Sequence, residues 1–404
     1  MAHANRANAW AALLEAVEIA KGSRGIRGER EMSKTMSLYL DLTRLFAATV
    51  VFLDHLSYRR FTGGFLKSWN LHDYGNDAVM VFFVLSGFVI AYVSDKKETT
   101  LKAYSFSRLA RLWSVVIPAL ILTITLDAIG SHIYVAVYNG PWVPTDHFGV
   151  RLVANLFFVN QIWFLSIRPF SDGPFWSIGY EFWYYVIFAA AFYVRHPRRY
   201  LVLALICLFV GPKILLLLPV WLLGVWAYSR TVRGAVAEHI GWILFTGSIA
   251  AYIFFREMGL PQLFLDWTFS HLGKSFVLDK LTWSQFFLSS YVAGILVALN
   301  FVGFSAISHR FSLFFKLLKR PIRYFAGFTF AIYLFHVPLL QFFTAVSNNV
   351  RDESVHNTIV IVGTVLFIWL FGMITERRKS ELRVWLTSTY EAAIKLVRPR
   401  LSSQ

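Results

Sequence analysis

Residues 41–60 read DLTRLFAATVVFLDHLSYRR. From Leu45 to Leu53 nearly every side chain is apolar, yet Arg44 stands at one end and the Asp54–His55 pair at the other. As a helix, the stretch would return Arg44 and His55, eleven positions apart, to within roughly 20° of one face, about 16 Å apart along the axis. One face would then carry a permanent cation near one membrane surface and a titratable base toward the other. Ionisable groups within a spanning helix cost at least ~2.5–3.5 kcal/mol and usually face a polar cavity. The competing reading has Arg44 snorkelling to headgroups and His55 resting in the interface.

The rest of the chain agrees with a membrane setting. Of 404 residues, 57% are hydrophobic and 15% charged, and the mean hydropathy is positive, which fits many spans better than a soluble core. The net charge of +16 does not point to nucleic acid. Its Lys and Arg residues fall in short runs between apolar segments, the pattern of the positive-inside rule, rather than in a basic domain or stripe. The single cysteine, Cys207, allows neither an internal disulfide nor a cysteine metal cluster. No metal is expected, because no helix pairs His with acidic residues at ligand spacing.

The expected fold is all-α, a polytopic bundle of about ten transmembrane helices near 38–57, 78–94, 111–130, 175–194, 200–211, 213–229, 239–255, 285–304, 325–345 and 356–375. The split at VGPK, residues 210–213, is the weakest boundary. Residues 151–167 are apolar but contain Asn155, Asn160 and Gln161, so they read as an interfacial or re-entrant piece. Counting them as a span would move the basic loops that follow to the outside. With ten spans both termini are cytoplasmic and the cytoplasmic loops are the richer in Lys and Arg. Residues 1–35 lack a long apolar stretch and read as a cytoplasmic amphipathic and flexible tail rather than a signal peptide. Residues 36–376 form the membrane domain and 377–404 a basic cytoplasmic tail. Two longer outer segments, 131–174 and 256–284, suit a lid or an acceptor platform and suit ordinary interfacial packing equally well.

Several polar groups stand out within the apolar runs. Arg108 and Arg111 in FSRLARLW, residues 106–113, share a helix face, and two guanidiniums there could clamp phosphate. The alternative is a simple cytoplasmic anchor. In DGPFWSIGYEFWYY, residues 172–185, Glu181 lies within an aromatic helix with Ser177 one turn earlier. That carboxylate could orient an imidazole or pair with a buried arginine. His336 precedes Pro338 in AIYLFHVPLL, residues 331–340, where it is expected to satisfy the carbonyl that proline frees. Ser86–Gly87 in FFVLSGFVIAY, residues 82–92, reads first as close helix packing and second as a nucleophile.

In this order the pieces resemble the acyltransferase-3 family of integral membrane acyltransferases. The resemblance rests on Arg44 followed after ten residues by His55, on FFVLSGF, on Arg108 and Arg111, on FWSIGYEFWYY, and on YLFHVP, and it runs from about residue 38 to 375. LTRL stands where the family often has Gly-Leu-Arg-Gly, and the acid Asp54 precedes the histidine. The resemblance implies transfer of an acyl group, most often acetyl, from cytoplasmic acyl-CoA to a hydroxyl of an extracytoplasmic or lipid-linked saccharide. The setting would be a bacterial inner membrane. In that scheme His55 is the general base, Glu181 orients it, Arg108 and Arg111 hold the CoA phosphates, and Arg44 assists with phosphate or lines the entrance. Acyl-CoA is a substrate, and no permanently bound cofactor is implied. Partners would be the saccharide acceptor and membrane lipids, with no nucleic acid. A secondary transporter is the rival reading, for which Pro118, Pro219 and Pro338 would mark broken helices. A sensor that binds acyl-CoA or sugar is the other.

Overall fold

The computed structural model describes residues 32–66, 74–233, 236–375 and, within 381–389, all but 383 and 386. The expected N-terminal amphipathic helix lies outside them. Among the described residues there are helices and loops but no strand. The main helices are α1 (Lys34–Leu56), α2 (Tyr74–Lys96), α3 (Leu101–Ile133), α4 (Phe148–Leu156), α5 (Trp176–Tyr193), α6 (Arg198–Val210), α7 (Pro212–Arg233), α8 (Glu238–Glu257), α9 (Leu260–Leu272), α10 (Phe287–Ile307), α11 (Lys319–Ala326), α12 (Thr329–Val346) and α13 (Glu353–Thr375).

All ten expected segments are helical, and among the described residues eight helices are long and apolar enough to cross a membrane. The other two are α5, diluted by Glu181 and its tyrosines, and α6, only 13 residues long. Apolar side chains face outward as well as inward. Ile121, Ile243 and Ile253 are exposed on α3 and α8, which in lipid is the stable arrangement because the backbone is satisfied within each helix. The spanning windows of α2 and α12 are 72% buried against 17% for α8, so α2 and α12 form the centre. Both pack on α1, while α7 covers α2 and α3 covers α12.

Ser86–Gly87 does mark close packing. A Cβ on Gly87 would lie 2.0 Å from the Trp221 carbonyl oxygen, and one on Gly224 would lie 1.9 Å from that of Val84. The two glycines therefore bring the backbones of α2 and α7 together. Pro118, Pro219 and Pro338 each lie inside a helix that continues past them, so the broken halves of a transporter are not formed at these positions.

Residues 151–167 do not span. They contribute the end of α4, nine residues long, and then an irregular chain. The amides that argued against a span are all buried. Asn155 donates to the carbonyls of Arg151 and Ile167 at 2.7 and 3.1 Å. Gln161 accepts at 2.8 Å from Lys213, which is fully buried in the first turn of α7. Lys213 also donates to the Leu165 carbonyl and, at 3.4 Å, to the Thr282 hydroxyl, tying both long outer segments to the bundle. At the VGPK split Gly211 takes φ 80°, with Trp163 Cα only 2.6 Å from where its Cβ would be. Only glycine fits both conditions.

Candidate active site

α1 places Arg44 and His55 as its periodicity predicts, each on the wall of a separate cavity. At the His55 end the cavity is open, with an empty volume of about 1060 Å³ including its mouth. Its wall draws on α1, α2 and α12 and on both outer segments, which supply Trp142 and Arg168 from one and Trp283 from the other. Among the described residues, the five non-glycine residues with positive φ (His147, Phe158, Trp163, Phe170 and Thr282) all lie in those two segments. Strained backbone of this kind persists where surrounding packing enforces it, often around sites.

His55 Nδ1 lies 2.9 Å from the Val51 carbonyl oxygen. A carbonyl only accepts, so Nδ1 carries the proton and Nε2 keeps its lone pair, the tautomer a base requires. Asp54 approaches Nδ1 no closer than 3.9 Å, an ion-pair distance rather than a hydrogen bond. Its carboxylate fills the space that glycine leaves at Gly75, where a Cβ would meet Asp54 Oδ2 at 2.5 Å. The His336 ring meets that of His55 edge-on, centroids 4.9 Å apart. His336 bonds the Ile332 carbonyl at 2.8 Å, not that of Leu334, which the missing N–H of Pro338 frees. Its expected role is corrected accordingly. Its Nε2 is buried without a partner, so both rings hold the same tautomer.

The second cavity, with an empty volume of about 580 Å³, is lined by Arg44, Arg108, Arg111, Ser86, Ser177 and Glu181. Its three cations are not equivalent. Arg108 is buried and bonded at 2.9 Å to buried Glu98. Arg44 lies 3.7 Å from Asp41, whose other oxygen takes Arg323 at 2.5 Å. Arg111 has no carboxylate within 4.0 Å among the described residues. Its guanidinium lies 4.9 Å from the centroid of Phe330, leaving its charge available to a phosphate.

Glu181 does not bond His55. Its Oε1 accepts from Ser86 at 2.8 Å and from Tyr185, and Trp221 donates to Ser86 at 3.2 Å. The expected orientation of His55 by Glu181 is therefore replaced by a Ser86–Glu181–Tyr185 cluster facing the arginines. The Val51 carbonyl holds the imidazole instead. Helical periodicity could not show this, because it says nothing of which helix stands opposite.

Tyr333 lines both cavities. Its hydroxyl lies 2.6 Å from Ser177 and donates to the Pro174 carbonyl at 3.0 Å, making it the partition between them. Tyr333, Tyr185, Arg60, Arg168 and the cavity tryptophans were not anticipated from sequence. The FWSIGYEFWYY and YLFHVP motifs contain the two tyrosines, but Arg60 and Arg168 had no signal beyond being loop cations.

Residues 37–373, nearly the whole chain, match the model of the acyltransferase-3 family, described as an acyltransferase domain. No curated protein and no solved structure matches the chain.

Proposed function

The chain belongs to the acyltransferase-3 family and is a multi-pass membrane acyltransferase, and from that premise we propose that it moves an acyl group, acetyl in the simplest case, from acyl-CoA to a saccharide hydroxyl. The donor enters the arginine-lined cavity from the cytoplasm. The acceptor, extracytoplasmic or lipid-linked, occupies the His55 cavity. Both termini lie on the donor side of a bacterial inner membrane, in keeping with α1 beginning and α13 ending at the Arg44 end of the bundle.

The observation that carries this reading is the pair of cavities meeting at Tyr333, cationic on one side and bearing an imidazole with a free Nε2 on the other. Donor and acceptor reside on opposite sides of a membrane, and a transferase must bring them together without opening a pore. Arg111, with Arg44 beside it, binds phosphate while the narrow pantetheine arm reaches inward. Arg108 holds the wall through Glu98. His55 Nε2 accepts the acceptor's hydroxyl proton as the oxygen attacks the thioester carbonyl. Collapse of the tetrahedral adduct breaks the C–S bond, and the imidazolium returns its proton to the departing thiolate, leaving ester and free CoA thiol.

The test is loss of acetyl-CoA thioester by purified protein in proteoliposomes supplied with a membrane extract as the source of acceptor, wild type beside His55→Ala. General-base catalysis contributes typically 10²–10⁴-fold, so turnover should fall by about that factor while the thermal midpoint holds. Equal turnover by the two proteins would remove His55 from the chemistry.

A further inference from the structure

The His55 cavity contains two guanidiniums for which the transfer reaction has no use. Arg60 projects from the short helix after α1, and Arg168 from the irregular segment before α5. Both line the cavity with His55, both are half-buried, and neither has a carboxylate within 4.0 Å among the described residues. They converge on Trp142. The Arg60 guanidinium lies 5.2 Å from the ring centroid, and Arg168 donates to its carbonyl at 3.0 Å. Arg60 Nε is buried without a hydrogen-bond partner. Burial, with the nearby Arg168 charge adding to it, brings the Arg60 guanidinium down to about 10.

The described acids close by do not pair with either guanidinium. Asp54 is turned toward Gly75. Asp172 is buried, and burial, with the charge of Asp127 adding to it, holds its carboxyl well above the usual carboxylate range, which weakens it as a counter-charge for Arg168. Two partly desolvated cations on one wall are costly unless a ligand supplies the counter-charge. Planar guanidiniums match carboxylate or phosphate oxygens. The parallel rings of Trp176 and Trp283, 5.3 Å apart, give the same cavity flat apolar surface beside the charge, a combination suited to an anionic sugar.

We infer that the acceptor carries an anionic group, a sugar carboxylate or a phosphate, held by Arg60 and Arg168 while its hydroxyl faces His55. The hydroxyl transfer rests on the acyltransferase reading. The anion site does not, and it can be tested without turnover.

Replacing Cys207 with serine and introducing Gln285→Cys, on the cavity wall, places one thiol beside the two arginines. Its reaction with negatively and positively charged methanethiosulfonates of similar size reads the local potential. With rates normalised to a free thiol, the anionic reagent should lead by about tenfold or more. Arg60→Gln with Arg168→Gln should abolish that lead, and the paired lysine substitutions should keep it, which separates charge from folding. Glucuronate, a short polyprenyl diphosphate and glucose are then compared as protectants. Protection by glucuronate identifies a sugar carboxylate, and protection by the diphosphate identifies a carrier phosphate. Either should act at about a tenth of the glucose concentration or less. Equal rates for the two reagents, glucose protecting as well as both anions, or no change in the glutamine pair would overturn the inference. A charge preference with anion protection, in a protein that consumes no thioester when a membrane extract supplies the acceptor, would uphold the anion site and sink the transfer reading.

Discussion

His55 and His336 have the same tautomer and touch edge to edge, yet His55 lines the cavity whereas His336 is fully buried. Access to the cavity separates the two rings, and neither composition nor spacing reports it. The same distinction divides Arg108 from Arg111, which looked equivalent three positions apart. Arg108→Gln leaves buried Glu98 uncompensated, a change expected to cost about 3–5 kcal/mol, visible as a lower thermal midpoint in detergent. Arg111→Gln removes a cation that pairs with no described acid. It should leave the midpoint nearly unchanged and raise the KM for acyl-CoA about tenfold, the order lost with one charge-assisted contact. Equal destabilisation by the two substitutions would contradict the division of labour.

At the scale of elements, the site depends on how closely α2 and α7 approach. Ser86 reaches Glu181 from α2, and Trp221 reaches Ser86 from α7. This requires the two backbones to meet at Gly87 and Gly224. Gly224→Ala puts a methyl 1.9 Å from the Val84 carbonyl oxygen. Backbone cannot swing aside as a side chain can, so the expected loss is at the upper end of the ~1–3 kcal/mol seen for overpacking. Unfolding of the variant beside Gly247→Ala, where nothing lies within 4 Å of the added Cβ, isolates the contact. Equal midpoints for the two variants would mean that the helices have room to separate.

For the whole molecule, the arrangement of consequence is two cavities back to back with one tyrosine between them. Tyr333 is 5% exposed and is held by Ser177 and the Pro174 carbonyl. A partition that yields to the pantetheine arm but excludes water would protect the thioester from hydrolysis. Tyr333→Ala should raise acceptor-independent thioester loss by about tenfold or more. Tyr333→Phe keeps the ring without the hydroxyl bonds and should show a smaller rise. The release of free acetate and CoA without acceptor measures both, and no increase in the alanine variant would remove Tyr333 as the barrier.

Much of the architecture was legible because lipid imposes a local rule. Each spanning segment must satisfy its own backbone and present apolar side chains, so hydropathy and helical period locate the ten helices one at a time. They also expose the misfits, Arg44, His55, Arg111 and Glu181, that line the two cavities. The amides of 151–167 likewise argued against an eleventh span, since Asn155 and Gln161 needed partners that lipid cannot supply, and the short α4 with its irregular continuation decided it. What pairs with what was a different matter. Glu181 meets Ser86 and not His55, Glu98 neutralises Arg108, and Arg60, Arg168 and Trp283 join one cavity from segments far apart in the chain. Those contacts follow from which helices become neighbours and at what depth, set by packing at Gly87 and Gly224 and by the anchoring of both outer segments on Lys213. A single sequence read residue by residue contains periodicity but not adjacency, and for that physical reason the partners were decided only by the tertiary structure.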